Sequence, residues 1–212
     1  RLLIVGSDAW TIQELEQLKA LCHPEHRLIN SYGLSETTID STCFEGSLAG
    51  RESSHMVPIG RPFKNSAVYV LDPHQQPVPI GVVGELWIGG LGVSSGYLGD
   101  PELSRERFST LSFNGVDEHM YRTGDLAAWD SSGILKLIGR SDNQVKVRGF
   151  RIEVGEIETQ LKAMSEISDA IVTLRSNGLG ENQLCAYCVP AINEVVDVNK
   201  LRKALTNLLP AY

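Results

Sequence analysis

The sequence predicts an α/β segment, then a β-rich segment, then a small α+β unit. Three changes of texture along the chain predict it. Residues 1–56 alternate strand and helix patterns, residues 57–140 hold short strand patterns between Pro- and Gly-rich turns, and residues 141–212 follow a charged hairpin with helix and strand patterns. At 42% hydrophobic and 21% charged residues the chain has the composition of a globular protein with a true core.

Each element has its own local signal. "LLIVG" is a continuous apolar run of the kind found in buried parallel strands, ending at Gly6. "TIQELEQLKALC" reads as a helix, because Thr11 and Glu14 have capping-box spacing while Ile12, Leu15 and Leu18 share a face. "RLIN" is a second short strand, and "SYGLSETT" is the loop it feeds, at the carboxyl end of a strand where ligands of α/β folds usually bind. Further on, "AVYVL", "GELWIGG", "MYRTGDLAAWD" and "GILKLIG" are short strands separated by turns such as "DPHQQPVPIG" and "DSSG", which suggests a small barrel. "DPELSRERF" interrupts them as a short helix, with Asp100 as its cap and Pro101 in its first turn. A charged hairpin, "NQVKVRGFRI", then enters the helix "EVGEIETQLKAM", and "DAIVTL", "QLCAYCV" and the helix "VNKLRKALTNLL" complete the α+β unit. The boundary is placed at residues 140–142, which separates residues 1–140 from residues 141–212.

Composition excludes several functions. With 19 basic and 26 acidic residues the net charge is −7, so no nucleic-acid footprint is expected. No apolar run approaches the ~18 residues of a membrane span, and a cytoplasmic protein is expected. "CAYC" lies in an apolar strand pattern, where Cys185 and Cys188 are expected to be small core residues on opposite faces. His23 and His26 have no partner cluster that would make them metal ligands.

Four stretches hold the chemistry: "NSYGLSETT" (30–38), "GELWIGGLGVSSGYL" (84–98), "YRTGDL" (121–126) and "GRSDNQVKVRGFRIEVGEIE" (139–158). In this order they closely resemble the adenylation domains of nonribosomal peptide synthetases, within the adenylate-forming enzymes, and the resemblance covers the whole chain. It implies the C-terminal part of the large adenylate-forming subdomain followed by a small mobile α+β subdomain. The implied reaction joins a carboxylic acid to Mg-ATP as an acyl-adenylate. The acyl group then passes to the phosphopantetheine thiol of a peptidyl carrier protein.

The resemblance assigns roles that suit the residue types. Tyr32 would lie flat on adenine, and Gly33 would let the backbone approach the nucleotide. Ser35 would offer a hydroxyl to the α-phosphate and Glu36 a hard oxygen to Mg²⁺. Asn30 would support the loop or meet the adenine edge. Asp125 presents two acceptor oxygens to the ribose hydroxyls, with Gly124 clearing space for the sugar. Arg140 would reach the ribose or the adenylate phosphate. Asp142 matches the hinge about which the small subdomain turns, and Gly149 would line the passage for the pantetheine arm. Lys146 and Arg148 read as a solvated face. The glycines of 84–98 resemble a phosphate loop, but with no following Lys they read as tight turns near the site, with Glu85 bracing the fold.

Leu3, Val5, Ser31, Ile39 and Asp40 match the acyl-pocket positions. A buried Asp40 beside a hydroxyl and apolar groups would suit a serine-like side chain, or a basic one second. The family's phosphate loop is expected to precede these residues and its catalytic lysine to follow them, so the chain is read as a fragment. Neighbouring synthetase domains and a small activating protein are further expected partners. A stand-alone acyl- or aryl-CoA ligase and a catalytically degenerate scaffold domain are the rival readings.

Overall fold

The computed structural model describes every residue except 7, 49–51, 114, 143, 148, 177–181, 193, 195 and 212. The chain divides into two units, Arg1–Asp142 and Asn143–Tyr212.

In the first unit, β1 (Leu2–Val5) runs parallel to β2 (Arg27–Tyr32), and helix α1 (Ile12–Leu21) makes the crossover. Thr11 and Glu14 form the expected capping box: Glu14 Oε2 accepts from the Thr11 backbone N–H at 2.6 Å, and Thr11 Oγ1 accepts from Glu14 N–H at 3.3 Å. Ile12 and Leu15 then pack with Phe44, Leu48 and Val57. Two short strands not anticipated from the sequence, β3 (Thr42–Phe44) and β4 (Arg61–Pro62), extend the sheet in the order β1-β2-β3-β4. The expectation of a buried β1 is corrected. Leu2 and Ile4 are about half exposed, because β1 is the edge strand and the described residues put no layer over it.

The β-rich segment comprises β5 (Ser66–Leu71), β6 (Gly84–Gly90), α2 (Pro101–Arg107), β7 (Phe108–Phe113), β8 (Val116–Trp129) and β9 (Leu135–Arg140). Asp100 caps α2, its carboxylate accepting from Leu103 N–H at 2.9 Å. The sheet order is β5-β6-β8-β7, with β9 also on β8. No pairing among the described residues closes it into the anticipated barrel. The reason is the length of β8, whose 14 residues are shared along one edge by β7 over residues 116–121 and by β9 over residues 125–129. Tyr32, Ile59, Leu86, Ile88, Tyr121 and Leu135 belong to the core that joins this sheet to the first.

The second unit opens with the hairpin β10 (Gln144–Val147) and β11 (Phe150–Glu153). Helix α3 (Val154–Lys162), the antiparallel pair β12 (Ile167–Ser176) and β13 (Asn182–Pro190), and helix α4 (Val198–Leu208) follow. Val154, Leu161, Ile167, Ala170, Val172 and Leu201 form a core of their own. Burying a leucine such as Leu161, 1% exposed, contributes about 2 kcal/mol. The four cysteines are free thiols, and Cys188 packs against this core.

Candidate nucleotide and metal site

The functional side chains of the first unit converge from three places: the carboxyl end of β2, the 3₁₀ turn Ser35–Thr37, and the paired strands β8 and β9. Sequence reading placed Ser31 and Tyr32 in a loop. They are the last residues of β2, and pairing with Cys43 and Thr42 on β3 prolongs the strand.

Asp125 is the centre of the arrangement. It is 3% exposed, and register sets it directly opposite Arg140. The Arg140 guanidinium donates from Nη1 to Asp125 Oδ1 at 2.7 Å. The same side chain forms a two-pronged pair with Asp142, Nε to Oδ1 and Nη2 to Oδ2, both 2.7 Å. Arg107 stands 3.6 Å from Asp142 on the other side. The hydroxyl of Tyr32 donates to Asp125 Oδ2. Burial first, and then the neighbouring Asp125 charge, push the Tyr32 phenol well above its ordinary pKa and keep its proton in place.

Two glycines receive reasons other than those read from the sequence. Gly124 has φ +74°, and a Cβ there would sit 2.5 Å from Asp142 Oδ2 and 2.8 Å from Arg140 Nη2. The space it leaves is occupied by the Arg140–Asp142 ion pair. A Cβ on Gly33 would lie 1.9 Å from the Ile39 carbonyl oxygen, so the loop's own return requires that glycine. The chain there is unusual, since Thr38 and Ile39, both β-branched, hold positive φ values of 59° and 72°.

Glu36 is held at both ends. Its Oε1 accepts from the Tyr97 hydroxyl at 2.7 Å and the Tyr121 hydroxyl at 3.0 Å. Its backbone carbonyl accepts from Ser94 N–H at 2.9 Å and Ser94 Oγ at 3.1 Å. The glycine-bearing run 84–98 therefore braces Glu36. Sequence reading missed Ser94 and Tyr97, whose only signal was a polar and an aromatic residue inside that run. Glu85 meets the expected bracing role, pairing both oxygens with Arg122 Nε at 2.9 Å.

Of the two readings of Asn30, the side chain is found in support: Oδ1 accepts from the Trp10 indole at 2.9 Å, and Nδ2 donates to the Pro58 carbonyl at 2.8 Å. Tyr32 is only 6% exposed and belongs to the core, which differs from the open aromatic platform expected. Ser35 is exposed at the start of its turn. The five acyl-pocket candidates differ in exposure: Ser31 is buried, Val5 half-buried, and Leu3, Ile39 and Asp40 exposed. Leu3 and Val5 share a face of β1, with Val5 paired to Asn30, whereas Ser31 lies beside Gly6, where an added Cβ would meet its Oγ at 2.7 Å. Ile39 and Asp40 are exposed, so Asp40 is not the buried carboxylate anticipated.

In the second unit, Gly149 lies between β10 and β11 at φ +80°, a turn conformation that favours glycine, with open space where a Cβ would sit. Lys146 is half-buried on β10, and Arg148 lies outside the described residues. Asp142 ends the first unit, at its junction with the second.

This donor set fits magnesium bound with a nucleotide. Among the described residues no group of three or more His, Cys, Asp or Glu could cage a metal alone. Glu36 could supply one hard oxygen ligand, and Mg²⁺ with nucleotides ordinarily takes one or two carboxylates plus phosphate oxygens. Asp125 fits a ribose less openly. Both oxygens have one partner, and each carboxylate oxygen can accept one bond more.

Residues 1–98 match the AMP-binding enzyme family. All 212 residues align with bacitracin synthase 2 of Bacillus licheniformis at 45% identity and with tyrocidine synthase 3 of Brevibacillus parabrevis at 44%. The chain spans only 8% and 3% of those proteins. Among solved structures, an artificially fused adenylation-PCP di-domain synthetase from Klebsiella oxytoca matches 99% of this chain with 38% of its own, at 30% identity and a TM-score of 0.81. Holo-PA1221, a synthetase containing adenylation and PCP domains, bound to a vinylsulfonamide inhibitor, matches 99% of this chain with 36% of its own, at 29% identity and a TM-score of 0.84. The chain is thus similar over residues 1–98 to the AMP-binding enzyme family, and over nearly its whole length to peptide synthetases and to solved structures that contain adenylation domains.

Proposed function

We propose that this segment serves an enzyme that activates an amino acid with ATP as the aminoacyl-adenylate and passes it to the phosphopantetheine thiol of a peptidyl carrier protein in nonribosomal peptide synthesis. One observation carries the reading: Asp125, Arg140 and Tyr32, from three separate motifs, meet in one hydrogen-bonded cluster. Similarity to peptide synthetases over the full chain supports the same substrate class.

In this reading Asp125 accepts from the ribose hydroxyls, and its buried, doubly supported carboxylate needs no reorganisation to do so. Arg140 stands beside it to meet the ribose or the α-phosphate. Ser35, exposed at the head of its turn, offers its hydroxyl to the α-phosphate. Magnesium, when bound with ATP, neutralises phosphate charge, and Glu36 is the residue that would hold it. Asp142, at the junction of the two units, serves as the hinge, and Gly149 faces the pantetheine arm. The carrier protein and neighbouring synthetase domains are the partners, and the cytoplasm is the compartment.

The test is amino-acid-dependent ATP–pyrophosphate exchange by the complete adenylation domain across the common amino acids. Strong exchange with one or two of them, lost in Asp125→Asn, is expected. A folded, ATP-binding domain that exchanges with none would overturn the reading.

A further inference from the structure

We propose that Tyr97 and Tyr121 are positioning residues for Glu36, their two hydroxyls converging on Oε1 to set the carboxylate's orientation toward the magnesium that accompanies ATP. The proposal rests on the reading of Glu36 as the metal ligand and deepens it.

Geometry carries the argument. Tyr121 is completely buried in β8, paired to Ile88 on β6 and to Phe108 on β7, so its hydroxyl is a fixed point of the sheet. Tyr97 comes from the other side. Its ring meets Phe108 edge-on, with centroids 5.4 Å apart and planes at 71°, and its backbone N–H donates to Ser104 Oγ at 2.8 Å. Phe108 also lies 5.0 Å from the Tyr121 ring, so the three aromatic rings form one block. The two hydroxyls stand 3.3 Å apart and both reach the same carboxylate oxygen, at 2.7 and 3.0 Å.

A glutamate has three side-chain torsions, and one left mobile would have to be ordered when the metal binds. Two donors fixed in a rigid block remove that ordering step beforehand. Ser94, three residues before Tyr97, holds the Glu36 carbonyl, so one short run orients both the backbone and the side chain of this residue. Packing alone does not call for hydroxyls here, since phenylalanine would fill the same block.

The experiment compares Tyr97→Phe, Tyr121→Phe and Glu36→Gln in the complete adenylation domain. Mn²⁺ binding in the presence of ATP is followed by the paramagnetic resonance of free Mn²⁺, alongside metal-free ATP binding and thermal unfolding. Tyr97→Phe is expected to weaken Mn²⁺ binding roughly tenfold or more, as for loss of a hydrogen bond to a charged group, with metal-free ATP affinity unchanged. Adding it to Glu36→Gln should weaken Mn²⁺ binding no further. If both Phe variants bind Mn²⁺ as the parent does while Glu36→Gln does not, the tyrosines merely pack, and the proposal falls while the site reading stands. If Glu36→Gln keeps full Mn²⁺ affinity, Glu36 is not the ligand and both fall together.

Discussion

Replacing Arg140 with alanine tests whether Asp125 is held as the structure shows. The guanidinium makes three bonds of 2.7 Å, one to Asp125 and two to Asp142. The side chains of Arg140 and Asp125 are 14% and 4% exposed, so this is a buried pair that bulk water does not screen. Removing one member of such a pair costs about 3–5 kcal/mol, because the other charge stays buried without its counter-ion. Asp125 keeps the Tyr32 hydroxyl, and Asp142 keeps Arg107 at 3.6 Å, which places the expected loss near the lower end, about 3 kcal/mol. At the 2–4 °C per kcal/mol of a 150–250-residue domain that would be a fall in Tm of roughly 6–12 °C, and proportionally less in the longer complete domain. The assay is thermal unfolding of the complete adenylation domain without nucleotide. Asp125→Asn in the Arg140→Ala background should recover about half of the loss, since the buried charge is then gone. A loss under about 1 kcal/mol that Asp125→Asn does not relieve is the behaviour of an exposed pair, and would refute the reasoning.

Three further outcomes are expected. Gly124→Ala should cost about 2 kcal/mol in the same unfolding assay, because alanine at φ +74° is strained and its Cβ displaces the Arg140–Asp142 pair; an unchanged Tm would argue against that conformation. Ile39→Asn should raise stability by about 1 kcal/mol, since asparagine tolerates a φ of 72° and the exposed isoleucine loses little packing; a lower Tm would show that Ile39 is not strained. The raised pKa values of Tyr32 and Tyr97 mean that the folded state holds their protons more tightly than the unfolded state. Their contribution is therefore intact below about pH 10 and declines as pH rises above it, and phenolate absorbance should show these two ionising only with unfolding. Their ionisation in the still-folded protein, ahead of the unfolding transition, would contradict their burial.

Much of the fold was legible one element at a time. The α1 capping box, the Asp100 cap of α2, the β10–β11 hairpin and the helical face of α3 depend on neighbours within a few residues, so the physics that makes them is local. The misreadings came where partners lie far apart in the chain. β3 and β4 are too short to show a period and exist because β2 offers them an edge. The open sheet follows from one long strand shared by two neighbours. β1 reads as buried from its apolar run, yet burial depends on what packs over it.

The same division runs through the site. The sequence by itself determined which groups could do the chemistry: a carboxylate in "SET", another in "TGD", an arginine after "IG". It also determined the family they resemble, because order and spacing in a chain are properties of the sequence. Only the tertiary structure decided what each group touches. Tyr32 and Asp125 are 93 positions apart, and Glu36 and Tyr121 are 85 apart. Hydrogen bonds reach about 3 Å and act only between groups that folding has already brought together, so no local pattern announces them. That is why no local pattern showed that Gly124 leaves room for an ion pair, or that Tyr97, read as part of a turn, rests on the carboxylate of Glu36.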